Sequence, residues 1–196
     1  MSNTMDAGAR RQLAARVVKA CRLTGTFTLR SGRTATEYFD KYQITSNPAL
    51  LRDVVEGMLP LIPKGTEVLA GLELGAIPIA TLLSQRSGLP AAYVRKKAKE
   101  YGTARLAEGT AIQGKKVLVV EDVVTSGGQV VLSTKDLRAL GAEVSTALCI
   151  IDREEGGRPS RVGHRATMAL RGPPGESGGD QSGVGRRGLD PEAPGA

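Results

Sequence analysis

Residues Val117 to Gly128, VLVVEDVVTSGG, restrict the fold more than any other part of this 196-residue chain. A short apolar run without charge leads into two adjacent carboxylates, Glu121 and Asp122. After Val123 and Val124, a Thr/Ser/Gly turn passes into an amphipathic stretch from Gln129 to Leu140. A charge-free strand suits a parallel sheet covered on both faces. At its carboxyl end, where open α/β sheets bind ligands, two acids can hold sugar hydroxyls. Thr125, Ser126, Gly127 and Gly128 would offer hydroxyls and backbone N–H groups at a helix N-terminus, which favours a phosphate. Together they suggest a phosphorylated ribose. The bland alternative is an ordinary strand-to-helix turn with solvated carboxylates.

The rest of the chain supplies the sheet that this strand requires. Asp6 to Cys21 spaces its apolar residues as an amphipathic helix does. The segment around Gly25 and the Ser31-Gly32 turn reads as a short hairpin with an extended continuation. Asn47 and Pro48 form a cap and first-turn pair for a helix through Leu59. Candidate strands at 67–72, 91–95, 117–120 and 143–151 alternate with helices at 75–88 and 129–140, and this rhythm implies a mostly parallel sheet. Residues 96–114, rich in charge, glycine and threonine, read as a long mobile loop.

Aromatic residues make up 3% of the chain and Trp is absent, so the core must rest on Val, Leu, Ile and Ala. That composition is poor for stacking many nucleobases. The net charge of +7 fits either a nucleic acid or a polyphosphate substrate. Its densest cluster is short: Arg95, Lys96, Lys97 and Lys99. Cys21 and Cys149 form no metal-ligand or CxxC pattern, and no run resembles a signal or membrane segment, so a reduced, cytoplasmic setting is expected. From Gly156 onward lie eleven of the 25 glycines and five of the 10 prolines. The expected division is therefore a domain over 1–157 (helix and hood segment to about 45, α/β core over 46–157) and a tail over 158–196. Such a tail buries too little apolar surface to offset its ordering entropy, and disorder is expected for most of it. Its Arg/Gly/Pro bias without lysine also resembles GC-rich coding sequence read out of frame.

The VLVVEDVVTSGG segment resembles the phosphoribosyl-pyrophosphate (PRPP) motif of type I phosphoribosyltransferases. Further on, Arg95-Lys96-x-x-Lys99-x-Tyr101-Gly102 resembles the catalytic loop of the orotate phosphoribosyltransferase family, with Tyr101 where the family usually has His. Thr28 to Arg33 (TLRSGR) is similar to its TLKSGR element, with Arg30 replacing Lys. Residues 70–78 (AGLELGAIP) resemble its pyrophosphate loop, with Gly75 where the enterobacterial pattern has Lys. Ile151-Asp152-Arg153 matches the end of its last shared strand.

The resemblance spans about Leu23 to Arg153 and implies a type I phosphoribosyltransferase fold: a mostly parallel central sheet flanked by helices, with a small N-terminal hood. It implies transfer of 5-phosphoribosyl from PRPP to orotate. Catalytic roles fall to Lys99, Glu121 and Asp122. Arg95, Lys96, Lys99, Tyr101 and residues Glu121, Asp122, Val123, Val124, Thr125, Ser126, Gly127, Gly128 and Gln129 would bind PRPP. Thr125, Arg153, Arg30, Tyr38 and Phe39 would face orotate, although Tyr38 and Phe39 serve equally well as core. Mg²⁺ would arrive with PRPP, without direct protein ligands. The family forms homodimers that share loop 95–109 across the interface. No membrane partner is expected, and nucleic acid is a weak prospect.

Three other readings stay open. The motif does not choose the base, so another base-specific phosphoribosyltransferase fits. A non-catalytic PRPP- or nucleotide-sensing regulator that binds RNA would use the basic charge. A defective enzyme is the third. The family usually ends with another strand and helix after the DRxxGG region, here replaced by GRPSRVGHRATMALRGPPG. The chain would fold poorly if those elements close the sheet edge or the dimer. The near match to a Walker A loop at 109–116 lacks the Ser/Thr and precedes its strand, so it is rejected. His164, the one histidine, is assigned no role.

Overall fold

A computed structural model describes residues 5–28, 32–97, 105–152 and 165–171, the last as backbone. Helix α1 (Ala7–Cys21) starts where Asp6 accepts the Ala9 amide at 2.8 Å, and it buries Leu13, Val17 and Cys21. Strands β1 (Arg22–Thr28) and β2 (Thr34–Phe39) pair antiparallel as the expected hairpin. A short helix α2 (Tyr42–Thr45) leads to α3 (Pro48–Met58). There Asn47 Oδ1 accepts the Leu50 amide at 3.0 Å, with Pro48 at the first turn. This is the cap that the sequence predicts, satisfying one of the helix's orphan donors.

The central sheet is built from β3 (Val68–Leu72), β4 (Ala91–Val94), β5 (Ala107–Gly109), β6 (Lys116–Val124), β7 (Glu143–Asp152) and β8 (Arg165–Arg171). Its order is β5-β4-β3-β6-β7-β8. All neighbours run parallel except β4 and β5. Helix α4 (Ile77–Ser87), ended by left-handed Gly88, and helix α5 (Gly128–Ala139) complete the crossovers.

Side chains along each strand alternate between two buried clusters. Leu69, Leu118, Val120, Leu148 and Ile150 join α1, α3 and α4, whereas Val68, Ala70, Val117, Val119 and Val144 join Val130 and Leu137 of α5. Both faces are therefore covered, which is why β3, β4 and β7 carry no charge between their ends and β6 carries none between Lys116 and Glu121.

Three expectations are corrected. Residues 96–114 are not all loop, because Ala107–Gly109 adds an antiparallel edge strand to β4. Three residues, none β-branched, give no periodic signal, and pairing with β4 defines them as a strand. The strand expected to stop at Val120 runs to Val124, because β7 continues beside it and pairs Val123 with Ile151 and Val124 with Asp152. In the tail, Arg165–Arg171 pairs parallel with β7, from Thr146↔Arg165 to Asp152↔Arg171. Disorder therefore does not extend over those residues, and a strand lies in the stretch where the family's closing strand and helix were read as replaced. Glycine and proline on both sides mask this seven-residue strand in the composition.

Candidate active site

Strand β3 stops pairing with β6 at Gly71↔Val120, and β3 itself ends at Leu72. From Glu121 onward, β6 keeps β7 on one side and meets the turn 73–76 on the other. The two acids thus reach the sheet's carboxyl edge while still within a strand. They are not solvated: Glu121 is 8% exposed and Asp122 2%.

Their surroundings are specific. The Asp122 amide donates to Glu121 Oε1 at 2.9 Å, and the Val123 amide donates to Asp122 Oδ1 at 2.6 Å. Lys41, in the turn between β2 and α2, places Nζ 3.1 Å from Asp122 Oδ1 and 2.8 Å from Oδ2. The Oδ2 contact is an ion pair and not a well-directed hydrogen bond, so this buried oxygen keeps accepting capacity. Gly75 lies against the same oxygen, 1.6 Å from where its Cβ would stand. Nearby, a Cβ on Gly71 would come within 2.7 Å of Ala80 Cβ, so glycine there lets β3 approach α4 closely.

Burial, followed by the hydrogen bond and charge of Asp122, pushes the Glu121 carboxyl well above the usual carboxylate range. Burial alone would lower Lys41, but the bond and charge of Asp122, aided by Glu121, outweigh it and raise the ammonium's pKa. Cys149, the register partner of Glu121, is pushed up to about 12 by burial and by the charges of Asp152, Glu121 and Asp122.

Beyond β6, Thr125 is half-buried and Ser126 exposed. Gly127 caps α5 in the left-handed conformation (φ 75°) and offers no side-chain acceptor to the first-turn amides. Such a terminus keeps its donors and its positive dipole end available to an anion. The Gln129 side chain instead donates to Ser133 Oγ at 3.0 Å, leaving its backbone as the part directed to this turn. The Val123 amide is already engaged by Asp122.

Arg95 follows β4. Its amide donates to Leu106 O at 2.9 Å, and its buried Nε has no protein acceptor among the described residues. The amide of exposed Lys96 donates to Glu73 Oε1 at 2.7 Å, which ties the root of the cationic loop to the turn after β3.

Tyr38 and Phe39 part company, as consecutive strand residues do. Phe39 packs on the core cluster, whereas Tyr38 is 36% exposed and meets the Phe27 ring at 5.5 Å. Lys99, Tyr101, Arg30 and Arg153 lie outside the described residues. The structure therefore gathers Arg95, Lys96, Glu121, Asp122 and the 125–128 turn at one sheet edge. It adds Lys41, which no local motif marks, and gives Glu73, within the 70–78 segment, a partner distant in sequence. Among the described residues no three His, Cys, Asp or Glu side chains form a metal-binding group. With Asp122 already facing Lys41, a divalent cation here would draw its ligands mainly from a polyphosphate and water.

The fold and site define a phosphoribosyl-transferring protein: residues 42–166 match the family model described as a phosphoribosyl transferase domain. An orotate phosphoribosyltransferase from a Nocardioides species is 55% identical over 154 residues, 79% of this chain and 84% of the relative. The Mycobacterium tuberculosis H37Rv orotate phosphoribosyltransferase in complex with PRPP superposes with a TM-score of 0.69 at 29% identity, covering 83% of this chain and 95% of that one. A Leishmania donovani UMP synthase superposes with a TM-score of 0.68 at 30% identity, over 84% of this chain and 36% of that longer one. The chain belongs to the orotate phosphoribosyltransferase family.

Proposed function

We infer that the protein transfers the 5-phosphoribosyl group of PRPP to orotate, giving orotidine 5′-monophosphate and pyrophosphate in de novo pyrimidine (UMP) synthesis. The observation that carries this is the buried Glu121–Asp122 pair beside the glycine-capped N-terminus of α5, in a chain 55% identical to an orotate phosphoribosyltransferase.

In the reaction the C1–oxygen bond to pyrophosphate breaks and a bond from orotate N1 to C1 forms, through an oxocarbenium-like transition state. The enzyme's contribution is positional and electrostatic. Glu121 and Asp122 accept the ribose hydroxyls and face the developing positive charge. The turn from Val124 to Gln129 holds the 5′-phosphate. Arg95, whose buried Nε has no partner among the described residues, and Lys96 meet the pyrophosphate, and Lys99 and Tyr101 close over it. Thr125 and Arg153 orient orotate, with Arg30 and Tyr38 at its edge. Phe39 belongs to the core and takes no part.

Mg²⁺ belongs to this proposal as a substrate-borne ion that neutralises pyrophosphate charge. So do a homodimer sharing loop 95–109 and a cytoplasmic location. No helix among the described residues is long and apolar enough to cross a membrane.

The test is spectrophotometric: orotate absorbance should fall only when PRPP and Mg²⁺ are both present. Consumption of adenine or guanine in place of orotate would overturn the choice of base. No pyrophosphate release with any base would overturn the enzyme itself.

A further inference from the structure

We propose that Lys41 is a positioning residue of this site, whose ammonium fixes the Asp122 carboxylate in place to accept a ribose hydroxyl. The inference deepens the reading above and rests on it. Lys41 comes from the N-terminal part of the chain, 81 residues from Asp122 in sequence. Its backbone is held on both sides. The Asp40 amide donates to Cys21 O at 2.8 Å, while the Asp40 carboxylate accepts from Tyr42 N at 3.1 Å and from Gln43 Nε2 at 2.8 Å. The turn therefore delivers Nζ to a defined point.

At that point three constraints fix one carboxylate. The Val123 amide and Lys41 Nζ hold Oδ1, and Lys41 Nζ also stands 2.8 Å from Oδ2. Gly75 backs Oδ2 closely enough that no side chain fits between them. The ion pair is asymmetric in exposure. The Asp122 side chain is 3% exposed and that of Lys41 33%, so the cation lies on the side from which a ligand arrives. Lys41 neutralises the carboxylate from the open side, while Oδ2 accepts no well-directed hydrogen bond among the described residues.

The test compares wild type, Lys41→Met, Asp122→Asn and the double variant, with PRPP binding by calorimetry and steady-state kinetics as readouts. Wild type is read first, because absence of PRPP-dependent orotate consumption there would overturn the functional reading itself. Given activity, Lys41→Met should raise the KM for PRPP about tenfold or more, the scale of a lost charge-assisted bond. The KM for orotate should stay within about twofold. In the Asp122→Asn background the same substitution should change PRPP affinity by less than about threefold, since residues acting through one contact are not additive. An unchanged KM for PRPP in folded Lys41→Met overturns the proposal, and so do fully additive effects. The double variant carries no unpaired buried carboxylate, so the comparison with Asp122→Asn holds even if Lys41→Met alone does not fold.

Discussion

Asp122 Oδ2 occupies the space that a side chain at Gly75 would need, with only 1.6 Å between that oxygen and an ideal Cβ. The glycine is thus part of the carboxylate's seat. Gly75→Ala should displace Asp122 and lower kcat/KM for PRPP by about 100-fold, the scale of an ångström-sized misplacement. The lysine found here in the enterobacterial pattern should be tolerated no better. Steady-state kinetics on Gly75→Ala and Gly75→Lys decide the matter, and activity near wild type in either would show that the seat rearranges freely.

Lys99 is assigned to the departing pyrophosphate through the RKxxKxYG resemblance. Lys99→Ala should lower kcat by about 10²- to 10³-fold, as loss of one transition-state donor does. PRPP affinity should fall far less. Unchanged turnover would remove the loop from the mechanism.

Glu121 makes stability depend on pH with a definite sign. Its folded-state pKa lies above the unfolded value near 4.5, chiefly through burial and then through Asp122. Above that pH the unfolded chain releases the proton while the folded protein keeps it, so stability falls as pH rises. Melting curves between pH 5 and 8 should show wild type losing stability relative to Glu121→Gln. Parallel profiles would mean that the carboxyl ionises freely in the fold.

Cys149 is 1% exposed and its thiol is pushed up to about 12, so almost no thiolate exists near neutrality. At pH 8 it should resist alkylation in the folded protein and react after denaturation, as mass spectrometry of iodoacetamide adducts would reveal. Rapid native labelling would mean that β7 opens beside the catalytic strand.

Asn47→Ala removes the acceptor for the Leu50 amide at the start of α3. It should cost about 1 kcal/mol of stability and lower Tm by a few degrees, with kcat unaffected. A loss of activity at full stability would give Asn47 a role beyond its cap.

The order of strands and helices was legible because each core strand carries its own signal. Uncharged runs mark 68–72 and 117–120, Asn47-Pro48 opens α3, and Gly88 ends α4. What escaped depends on pairing over distance. Ala107–Gly109 is a strand only because β4 offers an edge, and Arg165–Arg171 because β7 does. The acids, the turn at 125–128 and the cationic residues after β4 could be read from local motifs. Lys41 could not, because an Asp-Lys turn looks like solvent-facing punctuation until the fold sets it against β6. Tyr38-Phe39 illustrates the converse. An adjacent aromatic pair looks like one feature, but a strand sends its members to opposite sides.

The bond from the Arg95 amide to Leu106 O, with β5 paired to β4 just beyond it, fastens together the two ends of the chain between those residues. The sheet therefore tolerates changes in what the ends enclose. By loop-closure entropy, even doubling the enclosed length would cost only about 0.6 kcal/mol. Length of that segment and stability of the domain are thereby separable quantities. Insertions or deletions between Lys97 and Arg105 offer a way to retune turnover without rebuilding the core.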